Sequence, residues 1–475
     1  MEIRLRKTGS YQYEIPVDTD PRMLVPGVIY ASETLIPSIS ADQSLRQVIN
    51  VAMLPGVVRY SIAMPDIHWG YGFPIGGVAA FDAKEGIISP GGVGYDINCG
   101  VSLLAFDIEA AMVRKKLKDL VDVIFHLVPS GMGATTTKIR ETDLREILAT
   151  GLRWAIENSK ASNQDRERVE ENGEMQGADA WAVSKEALSR GIKQLGTLGA
   201  GNHFLEVQEV SEIYDESAAE SFGLRRGMTT VMVHTGSRGL GHQVATDFIA
   251  SFRRSKDVFH HPVDDQLISV QFDSEQGQKY LSAMNAAANF AFVNRQIILD
   301  RAREAFRQVF GSDIAESGHL VYSISHNMAK VENHTINGES RRLVVHRKGA
   351  TRAFPAELIQ GFNGHGHPVL VPGDMGSASY VLEGIQENLA KSFGSSCHGA
   401  GRALSRKKSL EKFDSSQIKK SLLSRGIYVK AQSNEVISEE APGSYKNVDE
   451  VVEATVGAGL AKKVARLVPM GVVKG

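Results

Sequence analysis

Cysteine is nearly absent: Cys99 and Cys397 are the two thiols in a chain of 475 residues. So few exclude a disulfide framework and fit a reducing, cytoplasmic setting. Long apolar runs are missing as well. Met1 is followed by Glu2, Arg4, Arg6 and Lys7 with no hydrophobic stretch behind them, so no signal peptide is expected. Nowhere do roughly 18 apolar residues run uninterrupted, so no membrane span is expected either. Excess charge of one sign is lacking: 53 Lys and Arg face 55 Asp and Glu, a net charge of −2, which rules out a histone-like or polybasic binder. No linker rich in Pro, Ser or Gly divides the chain and no segment repeats, which points to one large domain over residues 1–475. Glycine, in contrast, is abundant at 46 residues.

Residues 112–128 space Val113, Leu117, Leu120, Val121, Ile124 and Val128 as one amphipathic helix that Pro129 stops. Residues 276–310 are rich in Ala and free of Pro, and predict a long buried helix. Strands are predicted at Val101–Phe106, Thr229–His234, Leu320–Ser325, Arg342–His346 and Val369–Val371. The irregular alternation of these elements favours a mixed α+β fold over a doubly wound sheet. Residues 163–179, crowded with charge and without an apolar face, read as an exposed loop or lid, a solvated insertion.

The sharpest local signal is Gly91-Gly92-Val93-Gly94-Tyr95-Asp96-Ile97-Asn98-Cys99-Gly100, where a flexible turn delivers a hard oxygen and a soft sulfur three residues apart. An isolated pair of this kind reads as a turn cap beside a small buried thiol. Three histidines change that weighing. His203, His234 and His326 each stand at a predicted strand end or a Gly-rich turn, where ligands can converge while leaving room for substrate. If all five converge, a thiolate shared by two ions is chemically reasonable. Ligand type alone suggests zinc first. Farther on, Cys397-His398-Gly399-Ala400-Gly401-Arg402 offers an imidazole in a glycine turn beside a guanidinium able to hold phosphate. His398 fits a covalent nucleophile, a further metal ligand or a turn histidine. Residues 372–380 and 470–475 look like phosphate cradles but match neither the P-loop nor the Rossmann pattern. His346-Arg347-Lys348-Gly349-Ala350-Thr351-Arg352 and the run from Arg402 to Lys408 supply basic turns that could follow a nucleic-acid backbone. His365-Gly366-His367 reads as a turn.

Together with Gly201-Asn202-His203-Phe204, His234-Thr235-Gly236-Ser237-Arg238 and Ser325-His326-Asn327, these motifs resemble the RtcB family of RNA ligases, from Pro65-Asp66-Ile67-His68-Trp69-Gly70 to Lys474-Gly475. The resemblance implies a GTP- and manganese-dependent ligase. Such an enzyme joins RNA ending in a 2′,3′-cyclic phosphate or 3′-phosphate to RNA with a 5′-hydroxyl, in tRNA splicing or RNA repair. It implies His398 as the nucleophile that takes GMP. It implies Asp96, Cys99, His203, His234 and His326 as ligands of two Mn²⁺ ions, with Cys99 bridging. Asn202, Phe204, Glu206, Asn327, Pro372, Gly373, Asp374, Met375, Ser379, Gly399, Ala400, Gly401, Tyr445 and Lys474 would surround the guanine nucleotide. Arg238, Arg347, Lys348, Arg352 and Arg402 would meet RNA phosphates. An archease-type activating protein is a further implied partner.

The chain departs from the family's common Pro-Gly-Ser-Met-Gly turn at Asp374, which adds a negative charge there. A metal-dependent phosphoesterase would also use the five ligands but leaves His398 without a role. An RNA-binding subunit accounts for the basic turns alone.

Overall fold

The second of two large sheets is built from strands that alternate their side chains between two separate cores. In Gly100–Glu109, Val101, Leu103 and Ala105 face one cluster while Leu104 and Phe106 face the other, which is why such strands read as near-continuous apolar runs. A computed structural model describes residues 3–131 and 137–475. This sheet runs in the order His319–Ser325, Gly100–Glu109, Met228–Thr235, Phe204–Ile213, Lys462–Lys474, Ser379–Glu383 and Pro368–Val371, all antiparallel, with Tyr428–Ala431 parallel to Lys462–Lys474. The first sheet runs Arg6–Gly9, Gln12–Ile15, Gly27–Tyr30, Val57–His68, Ile75–Asp82, Glu339–Lys348 and Asn327–Ile336. The fold is mixed α+β, as expected. Among the described residues no helix is long and apolar enough to cross a membrane.

One residue links the two sheets directly, and a second connection leads from the first sheet into a separate two-stranded ribbon. His326 stands between Ser325, the last residue of a second-sheet strand, and Asn327, the first of a first-sheet strand. Gly349 follows the first-sheet strand Glu339–Lys348 and leads to Ala350–Arg352, which pairs with Ser395–Cys397, directly before His398.

The long helix forms as the sequence predicts, over Glu275–Phe310, capped by Ser274, whose side chain accepts from the Gly277 N–H. It is buried on nearly every side from Ala283 to Leu299. Its interior polar residues hold loops. Asn289 accepts from the Met175 N–H and donates to the Leu148 carbonyl. Asn294 accepts from the N–H groups of Gly196 and Thr197 and donates to the carbonyls of Thr197 and Gly236.

Three expectations are corrected. The predicted helix over 112–128 is two helices, Ala110–Arg114 and Leu117–Leu127, because the N–H groups of Lys115 and Lys116 close tight three-residue turns onto Met112 and Val113. Residues 163–179 are no exposed lid. They form a short helix, Asn163–Glu167, and a 3₁₀ turn, Glu170–Gly173, with Asp165, Val169, Glu170 and Met175 buried. Their charges were legible but their distant partners were not: Arg303 pairs with Asp165 at 2.6 Å and Lys330 with Glu170 at 2.7 Å. Residues 470–474 form no Gly-rich turn, since they belong to the strand Lys462–Lys474.

Candidate functional site

Register brings the ligand candidates to one end of the second sheet. Gly100 pairs with both Thr235 and Ser325, and His234 pairs with both Val101 and Phe204. Cys99, His203, His234 and His326 therefore lie at the same edge of four consecutive antiparallel strands, and Lys474, opposite Phe204, joins them from a fifth. One buried guanidinium fixes this edge. Arg295 of the long helix donates to the carbonyls of Asn98 at 2.7 Å and Thr235 at 3.1 Å, to Asn98 Oδ1 at 3.1 Å and to Ser323 Oγ at 3.2 Å, next to the ligand positions Cys99 and His234.

The donor atoms converge in two groups that share Cys99: Asp96, Cys99 and His203, and Cys99, His234 and His326. Cys99 Sγ is 3.4 Å from His203 Nε2 and 3.3 Å from His234 Nε2. His234 Nε2 lies 3.2 Å from His326 Nε2, and Asp96 Oδ2 3.0 Å from His203 Nε2. Burial, reinforced by neighbouring cationic groups, keeps His234 and His326 far below the ordinary imidazole range, the neutral form that ligates a cation. Burial would raise Asp96, but His203 and Arg238 hold it at about 2. Burial and Asp96 push the Cys99 thiol well up, so a divalent ion is the group that would draw off its proton. Asp96 Oδ2 is buried, and its near neighbour is His203 Nε2, itself a candidate ligand. A thiol, three imidazoles and a buried carboxylate oxygen fit a pair of divalent cations.

Asp96 Oδ1 accepts instead from Ser237 Oγ and the Arg238 N–H, at 3.2 and 3.0 Å. Gly236 lies so close that a Cβ there would come within 2.6 Å of this carboxylate. Arg238 adopts the left-handed region at φ 56°, and its guanidinium reaches His203 Nδ1 at 3.4 Å.

A cleft of about 630 Å³ opens beside the ligands. Of the nucleotide candidates, Asn202, Phe204, Glu206, Pro372, Gly373, Asp374, Met375, Gly399, Ala400, Gly401, Tyr445 and Lys474 line it, as do His234, His398 and Arg402. Two candidates stand behind it. Asn327 donates to the Asp96 carbonyl and accepts from the Gly349 N–H. Ser379 accepts from the Gly373 N–H and from Gln208.

His398 Nδ1 lies 2.6 Å from Asp66 Oδ2, which also accepts the His398 backbone N–H at 3.0 Å. Asp66 is wholly buried. Burial pushes its pKa up, but His398 and Lys446 outweigh that and keep it below the ordinary carboxylate value. With Nδ1 donating to Asp66, Nε2 carries the lone pair. Gly401, at φ 74°, sits where a Cβ would run into the Asp66 carbonyl at 2.1 Å, so only glycine lets this turn close.

At the opposite wall Glu206 accepts from Gln208 at 2.7 Å, and burial lifts it to about 8, with Asp374 adding to the rise. Glu440 gathers Arg402 at 2.9 Å, Lys474 at 3.4 Å and the Tyr445 hydroxyl. Asp66, Gln208, Arg295, Glu440 and Lys446 escaped sequence reasoning. Asp66 alone carried a signal, inside the Pro65–Gly70 motif.

The basic turn is not a groove. Arg347 is buried in a bidentate pair with Glu332 at 2.7 and 2.9 Å, and Arg352 pairs with Glu171 and Glu332. Lys348 donates to the carbonyls of Tyr71, Phe73 and Gly91. These three cations are interior, because each finds its counter-charge or carbonyl cap on a strand or loop remote in sequence.

Residues 47–475 match the family model described as tRNA-splicing ligase RtcB. The tRNA-splicing ligase RtcB of Thermococcus kodakarensis is 52% identical over 479 residues, covering 100% of this chain and 99% of that protein. That of Aeropyrum pernix is 46% identical, covering 99% of each. The RNA-splicing ligase RtcB of Mycobacterium tuberculosis is 48% identical over 437 residues, 90% of this chain and 100% of that protein. With the whole pattern present from residue 47 onward and relatives matched along almost their full length, the chain belongs to the tRNA-splicing ligase RtcB family.

Proposed function

We propose that the chain is an RNA ligase that joins 2′,3′-cyclic-phosphate or 3′-phosphate ends to 5′-hydroxyl ends, using GTP and carrying GMP on His398. The observation that carries this reading is the His398–Asp66 pair, which sets His398 in a cleft that Glu206 and the candidate ligand His234 also line, beside the two donor groups. Two Mn²⁺ ions, one held by Asp96, Cys99 and His203 and one by Cys99, His234 and His326, would supply neutralisation of the triphosphate. The choice of manganese rests on the family, since the donor set also suits zinc.

His398 Nε2 attacks the α-phosphorus of GTP, an N–P bond forms, and pyrophosphate leaves. Asp66 holds the Nδ1–H and balances the positive charge that develops on the ring. A terminal 3′-phosphate oxygen of the RNA then takes the GMP, breaking the N–P bond. Finally the 5′-hydroxyl attacks the 3′-phosphorus, loses its proton, and GMP departs. Ionised Glu206 accepts from guanine N1–H and N2–H₂, donors that adenine does not present in that pattern. A cyclic phosphate needs water to open it to a 3′-phosphate before the second step. A phosphoesterase without nucleotide leaves Glu206 and the His398–Asp66 pair without work.

The test is covalent labelling by α-labelled GTP with Mn²⁺, read on the denatured chain. His398→Ala is expected to abolish the label while metal content and thermal stability persist. Asp66→Asn, which removes the charge that balances the ring and can turn an NH₂ donor toward Nδ1, is expected to slow labelling by roughly two orders of magnitude or more. Undiminished labelling of His398→Ala would remove the nucleophile assignment.

A further inference from the structure

Trp69 is 56% exposed, although so large a ring system gains most from burial. The loop that carries it is held from the interior at almost every turn. Buried Gln47 accepts from the Gly70 N–H at 3.0 Å and donates to the carbonyls of Gly70 and Gly72 at 2.7 and 2.9 Å. Gln266 accepts from the Gly72 N–H at 2.9 Å, and buried Lys348 donates to the carbonyls of Tyr71 and Phe73. These bonds hold the backbone that follows Trp69, and the ring stands outward in the lining of the cleft that holds His398.

The two walls of the cleft come from different sheets. Phe204, Glu206 and Lys474 belong to the second sheet and form the nucleotide side. His68 and Ile75 are register partners in the first sheet, with Trp69 directly after His68. His398 joins the two sides through Asp66 of the first sheet and through its ring contact with His326, whose centroid is 4.7 Å away. A GMP on His398 occupies the second-sheet side, so the first-sheet wall is left for what the GMP is passed to. Exposed Lys407 adds positive charge to the same lining, where Arg406 is paired with Glu439 at 2.9 Å and Asp42 also stands.

We propose that Trp69 is a stacking platform for a nucleobase of the RNA end presented to His398, an inference that rests on the chain acting on RNA. Every base offers a π-face, so one indole can seat an RNA end without reading its sequence.

The test uses the full chain and two oligonucleotides, one ending in a 3′-phosphate and one beginning with a 5′-hydroxyl. Each carries a dye at its far end, so that anisotropy reports binding independently. The strand whose terminal base meets the ring is expected to quench tryptophan emission in the parent protein, with that quench lost in Trp69→Phe. Which strand quenches assigns the end. Trp69→Ala is expected to weaken binding of that strand about tenfold, the size of one base stack, and Trp69→Phe by no more than about threefold. Equal quench in the parent and Trp69→Phe proteins, saturation of both strands without quench, or unchanged affinity in Trp69→Ala would each overturn the platform. GTP labelling of His398 is measured on the same preparations, so failure of the GMP-transfer reading shows there and not in the quench. If anisotropy detects no RNA binding, the RNA reading itself falls and the platform with it.

Discussion

If Glu206 holds guanine as proposed, nucleotide recognition depends on pH. Burial first, and then Asp374, push its carboxyl up to about 8, so at pH 6.5 only a few per cent of it would be ionised, and the ionised form is the one that would accept twice from guanine. A ligand that needs a minor state binds more weakly by that state's fraction. The KM for GTP is therefore expected to fall by about an order of magnitude between pH 6.5 and 8.5, and Glu206→Gln should flatten the profile. Asp374→Ser removes a charge that raises Glu206, so its profile should shift to lower pH, with a smaller KM near neutrality. Coincident profiles for the parent and Asp374→Ser proteins would uncouple the two residues. Asp374 Oδ1 also caps its own turn by accepting from the N–H groups of Gly376 and Ser377, a role that a serine hydroxyl can share. The convergence of the candidate ligands was legible because glycines and strand ends flag them locally, and His398 was flagged by its glycine turn. Asp66 was not, since an aspartate inside a strand shows no trace of a partner 332 residues away.

Among the elements, the long helix was legible from its Ala-rich run, but its task was not. Composition showed a buried helix, whereas its polar residues turn out to tie loops that are far apart in the chain. Arg295 is the clearest case. A lysine there keeps the charge but cannot fork to the carbonyls of Asn98 and Thr235 and to Ser323 at once. Arg295→Lys is expected to cost about 3 kcal/mol through carbonyls left unpaired and to lower bound metal per chain, as elemental analysis would show. Full metal content in this variant would mean that the ligand edge holds without the guanidinium. The basic turn teaches the reverse lesson, because local charge looked like a surface while its counter-ions came from elsewhere. Arg347→Ala strands Glu332 in the interior and is expected to destabilise the chain by about 3–5 kcal/mol, read from its denaturation midpoint. A phosphate contact would behave otherwise, lowering RNA affinity and its salt slope while leaving stability alone.

For the molecule as a whole, the mixed fold could be anticipated from irregular alternation, yet the order of strands could not, because pairing between segments hundreds of residues apart leaves no local mark. One such pairing has a consequence in time. The strand Lys462–Lys474 lies in the interior of its sheet, between Phe204–Ile213 and Ser379–Glu383, and places Lys474 beside Phe204 in the cleft. During synthesis the strand Phe204–Ile213 must wait, one side unpaired, until about 250 further residues have been added. A nascent chain halted before residue 462 is expected neither to retain GTP label nor to resist proteolysis across 204–235, whereas the released full-length chain should do both. Protection of 204–235 in the shorter chain would show that the sheet closes without its interior strand. On the proposed reading the order of translation acts as a safety catch: a half-made chain would lack Lys474 beside Phe204, and nucleotide capture would wait for the last strand to slide into place.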